Sequence, residues 1–152
     1  MTEDRRNLRE AVLEAIEALE TLEKGRGRPN RYHARALLLP LGELLLSEGA
    51  STLDDLMERT RAVTDALGES WREAALGELA LAAAEHIHAA DPRYLGLENY
   101  DFAYTFRARE RLEARLAAAG ELDLSLPPGL QNEVRAADER LEPHLGRPPG
   151  TN

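Results

Sequence analysis

Residues 34–48 read ARALLLPLGELLLSE, with seven leucines at positions 37, 38, 39, 41, 44, 45 and 46. On a helix they cover well over half of the circumference, far more than the single apolar stripe a surface helix needs. A helix of that kind belongs at the centre of a bundle or in a contact between copies. Pro29 and Asn30 ahead of the run and Gly49 after it mark a helix over about 30–48, since Asn caps an N-terminus and Gly ends a helix. Pro40 removes one helical N–H and predicts a kink.

The remaining segments supply the neighbours that such a helix needs. Residues 3–24 carry Leu8, Val12, Ala15, Leu19 and Leu22 at 4-3-4-3 spacing, a packing seam suited to bundles or coiled coils. Thr2 stands as its N-cap and Gly25 as its end. A third helix opens at Ser51 and puts Leu53, Leu56, Thr60, Val63 and Leu67 on one stripe before Gly68. Ser70 and Glu73 have capping-box spacing for an Ala-rich fourth helix that runs to about Ala90, where Asp91-Pro92 breaks the chain. A fifth spans about Tyr100 to Ala119, ended by Gly120, and a sixth about Pro128 to Leu141. Between them ELDLSL alternates leucine like a strand, but a lone strand has no partner, so it reads as an extended loop.

The expected fold is therefore all-α: one helical domain over 1–145, a bundle of about five to six helices around the highly apolar 30–48 helix, with GRPPGTN at 146–152 as a flexible tail. A length of 152 residues, 43% apolar and 31% charged, suits one self-sufficient core. The most apolar run, 36–46, is too short to span a bilayer, so no membrane partner is expected. Cysteine is absent, which rules out thiol chemistry and fits a reducing compartment. The polar start MTEDRRNLREA is unlike a signal peptide. The expected location is the cytoplasm. An internal echo, LGELLL at 41–46 and LGELAL at 76–81, is separated by 35 residues.

Charge is unevenly spread. The net charge is -9, yet residues 24–42 carry +5 and no acid, while 43–92 sum to -8. The basic stretch KGRGRPNRYHAR contains Arg26-Gly27-Arg28-Pro29, which resembles the core of the AT-hook motif. That resemblance implies an extended segment in an AT-rich minor groove, with Arg26 and Arg28 along its floor and Lys24 and Arg31 on phosphates. The competing expectation is a hinge between two helices, its arginines paired with the acidic 43–92 segment.

Two further groupings carry chemistry. Glu85 and His88 form a Glu-x-x-His pair with Glu78 two turns earlier, a spacing that can aim three ligands at one ion in carboxylate-metal bundle enzymes. The second pair that such sites use is missing, and no nucleophile elbow or phosphate loop occurs. Five of seven aromatic residues, Tyr94, Tyr100, Phe102, Tyr104 and Phe106, fall within thirteen positions, with Arg107 beside them. Tyr and Arg around an apolar anchor dominate binding hot spots; the structural alternative is that the rings pin the preceding loop to its helix. The function expected is a non-catalytic helical interaction or regulatory module, binding a protein partner or itself and needing no cofactor. A nucleic-acid-associated protein and a metal-dependent enzyme are the alternatives.

Overall fold

The helix punctuation seen in the sequence sets most of the architecture. The computed structural model describes residues 3–97, 100 and 102–144. Among them are α1 (Glu3–Lys24), α2 (Arg31–Glu48), a 3-10 turn (Ala50–Leu53), α3 (Asp54–Leu67), α4 (Glu69–Ala89), α5 (Pro92–Leu95), α6 (Phe102–Glu121), α7 (Pro128–Leu141) and a 3-10 turn (Glu142–His144). No strand occurs among the described residues, and the protein is an all-α domain. Among the described residues seven helices replace the five to six expected, because Asp91 caps an extra turn: its carboxylate accepts from the Arg93 N–H at 2.8 Å with Pro92 at the first helical position. Thr2 and the 146–152 tail lie outside the described residues.

The core forms where α2 meets α1, α4 and α6. Leu37, Leu38, Leu41 and Leu44 are fully buried there with Val12, Ile16 and Leu19 of α1 and Leu79 of α4. The α1 seam is thus consumed inside the fold, against α2 and α3. Gly42 permits the closest approach: a Cβ at that position would overlap the backbone carbonyl of Ala114 in α6. Leu124 and Leu126 of the extended loop are buried without forming a strand.

Several caps differ from expectation. Asn30 caps α2 through Tyr32 and His33 N–H groups, and His33 Nδ1 accepts in return from the Asn30 N–H at 3.0 Å, so His takes the role usually given to Glu. The helix expected to open at Ser51 starts at Asp54, and the capping box expected at Ser70 does not form. Ser51 lies within the 3-10 turn, and the Ser70 hydroxyl instead donates to the Leu67 carbonyl. The chain turns at Gly49 and Gly68, whose φ values of 84° and 62° suit glycine. Helices α1 and α6 end in six-to-one turns, Gly27 N–H to Leu22 O at 2.7 Å and Leu124 N–H to Ala119 O at 2.8 Å. The left-handed position of each belongs to a non-glycine residue, Arg26 and Asp123, both at φ 58°. Helix α6 consequently runs past Gly120 to Glu121.

Polar links cross between helices at several places. Arg59 of α3 forks onto Glu20 of α1 at 2.6 and 2.9 Å, which holds the Glu20 carboxyl below its ordinary range. His86, fully buried in α4, places Nε2 2.8 Å from Asp138 Oδ1 of α7, and Arg140 donates to the Ala90 carbonyl beside it. Arg115 of α6 donates to Glu78 of α4 at 3.0 Å with both side chains almost wholly buried.

Candidate interaction surface

What α2 does not bury is the most conspicuous feature of the surface. Tyr32, Ala36 and Glu43 are exposed, Leu39 is half-buried and Leu46 is exposed, the tyrosine at 65% and Leu46 at 54%. These five positions are spaced 4-3-4-3, so they form one stripe along the helix. It is the same repeat that the α1 seam uses inward, here turned outward. Where Gly42 touches Ala114 the stripe borders an open groove of about 610 Å³ between α2 and α6. Leu46, Glu43, Arg107 and Arg111 line it. None of Glu43, Arg107, Arg111 or Arg35 forms an ion pair among the described residues. The surface therefore offers apolar anchors ringed by charges of both signs that are free to pair outward.

The aromatic segment is largely engaged internally. Tyr94 stacks on Tyr100, Tyr100 meets Phe102 edge-on, and Phe102 lies against Phe106 and His144. The Tyr100 hydroxyl donates to the Ala89 carbonyl at 2.6 Å and accepts from the Thr105 hydroxyl at 2.7 Å. The rings thus tie the end of α4 to the start of α6, and of the six positions only Tyr104 and Arg107 are exposed. Arg107 faces the α2–α6 groove, which joins this segment to the α2 stripe.

Glu78, Glu85 and His88 are not brought together around a common point. The Glu78 carboxylate is committed to Arg115, Glu85 is exposed, and His88 packs its ring edge-on against Tyr94. Among the described residues no group of three or more His, Asp or Glu side chains could hold a metal ion. Burial pulls the Arg115 guanidinium below its ordinary value, while the Glu78 charge and hydrogen bond act against that. Glu43, which shares the echoed LGEL sequence with Glu78, lies in the open groove instead.

The basic stretch is a capped hinge. Arg26 sits in the left-handed position of the α1 C-cap, and Gly27 is bonded back to α1. Its first half is therefore a tight turn rather than the extended form an AT-hook takes. Arg28 pairs with Glu73 at 3.2 Å, both side chains exposed, so the acidic segment supplies one weak contact. The Arg31 guanidinium lies 4.8 Å from the centre of the Tyr32 ring. Lys24 and Arg26 are exposed. No described helix is long and apolar enough to cross a membrane. The chain matches no family model, no curated protein and no solved structure.

Proposed function

We propose that this chain is a non-catalytic helical interaction or regulatory module that associates with itself, and that the open side of α2 with the adjoining α6 groove is its docking surface. One observation carries the reading: a 4-3-4-3 stripe of Tyr32, Ala36, Leu39, Glu43 and Leu46 faces outward from the leucine-rich helix α2. A lone exposed leucine is ordinary, but a helical packing repeat left uncovered points to a partner. The unpaired charges of both signs beside it provide orientation, the role rim charges play in interfaces. Replacing Leu46 and Leu39 by Glu puts two charges into the apolar part of the surface. Sedimentation velocity over a wide concentration range is expected to show a dimer or larger species for the native chain and a monomer for the double variant. A native chain that stays monomeric throughout, even at high concentration, would overturn the self-association reading.

A further inference from the structure

We infer that the occupant of the open α2 face is a second copy of the chain, packed so that the two α2 helices run antiparallel about a two-fold axis at Leu39. The inference rests on reading that face as the association surface. A two-fold axis crossing a helix pairs positions equidistant from it. About Leu39, Tyr32 meets the partner's Leu46, seven positions out on either side, and Arg35 falls close to the partner's Glu43. Ala36, exposed beside the axis, is small enough to let the helices approach.

Charge selects this arrangement over a parallel one. Arg35 and Glu43 are both exposed and unpaired among the described residues. Their rise along α2 is about 12 Å, too far to pair with each other on one helix. A parallel arrangement would put each Arg35 beside the partner's Arg35 and each Glu43 beside the partner's Glu43, a repulsive pattern. The antiparallel arrangement converts both into opposite-charge contacts and repeats each contact twice. The apolar ends match as well, ring against leucine. The stripe is about 21 Å long, which places the contact at the small end of protein interfaces.

The chain has no cysteine, so a single introduced thiol reports without background. Under mild oxidation Leu39→Cys, on the axis, is expected to form a disulfide dimer at least about tenfold faster than Glu58→Cys on the exposed side of α3, which reports random collision. Tyr32→Cys is expected to link no faster than that control, since its partner copy lies about 21 Å away. In sedimentation, Glu43→Arg is expected to weaken dimerisation about tenfold or more, and adding Arg35→Glu to restore it. A dimer in which Leu39→Cys links no faster than Glu58→Cys, or in which Tyr32→Cys links equally fast, would refute the antiparallel geometry and leave the association itself standing. A monomer at every concentration would remove both.

Discussion

Gly42 and Gly77 occupy the same place in the two LGEL sequences, and the fold treats them oppositely. A methyl group at Gly42 would fall inside contact distance of the Ala114 carbonyl oxygen, carbonyl carbon and Cα, all backbone atoms of α6. Backbone cannot rotate away, so α2 and α6 would have to part by roughly 1.5 to 2 Å to restore ordinary contact. That loosens the core cluster to which Leu38, Leu41 and Leu112 belong. Overpacking of this kind costs about 1–3 kcal/mol, with the rigid neighbour favouring the top of the range. Alanine's better helix propensity returns up to about 1 kcal/mol. Gly42→Ala is therefore expected to destabilise by about 2 kcal/mol. At Gly77, inside α4 and exposed, an added Cβ meets nothing within 4 Å. Gly77→Ala should therefore stabilise by about 0.5–1 kcal/mol. Guanidinium unfolding at one fixed protein concentration, followed by helical circular dichroism and by the sole, buried Trp71, measures both. A Gly42→Ala variant as stable as the native chain, or a Gly77→Ala variant weaker than it, would refute the packing described for these two helices.

The buried pair gives a second expectation. Glu78→Leu strands the Arg115 charge and should cost about 3–5 kcal/mol, whereas Glu78→Leu with Arg115→Met should recover most of that in a denaturation cycle. A third concerns the left-handed caps. Arg26→Gly removes an αL penalty of about 1–2 kcal/mol but adds chain entropy, so thermal melts should show a net gain of up to about 1 kcal/mol. Asp123→Gly should gain less, because Asp tolerates that conformation better. A fourth is titration of Asp91, whose carboxyl is held at about 2 by the side-chain and backbone hydrogen bonds from Arg93. A depressed carboxyl adds stability above its ordinary value of 3.8 and loses it as pH falls through about 2. Carboxyl NMR should place the midpoint near 2, and Arg93→Ala should move it up.

Where the chain punctuates itself, structure was readable from the sequence. Pro29-Asn30, Pro128 and Gly49 set the bounds of α2 and the start of α7, because capping and proline geometry are local. The capping box expected at Ser70 fails where Gly68, at positive φ, redirects the chain, and the Ser70 hydroxyl bonds back to the last residue of α3 instead. The surface was half legible. Leucines on nearly every side of α2 announce that it is over-apolar, but which arc stays open is decided only when α1, α4 and α6 take their places. Glu78 shows the same limit. Its spacing to Glu85 and His88 is a local pattern, while its partner Arg115 lies 37 positions away and on another helix. The aromatic run announced a cluster, and only the Tyr100 and Thr105 hydroxyls meeting at the Ala89 carbonyl explain why it folds inward.

The Glu78–Arg115 pair bears on choice among alternatives more than on strength. Helices α4 and α6 face each other with Ala74, Ala75, Ala82, Ala83, Ala118 and Ala119 among their buried residues. Methyl-studded faces are nearly indifferent to sliding, since one alanine fits where another did. A slip by one turn, about 5.4 Å, would displace Trp71, Leu79 and Leu112 and also pull a carboxylate and a guanidinium apart inside the protein. The pair thus acts as a detent, adding to one position along the alanine-rich track a contact that its neighbours lack. Because α6 carries Arg107 and Arg111 to the rim of the groove beside α2, that detent also fixes where those charges stand.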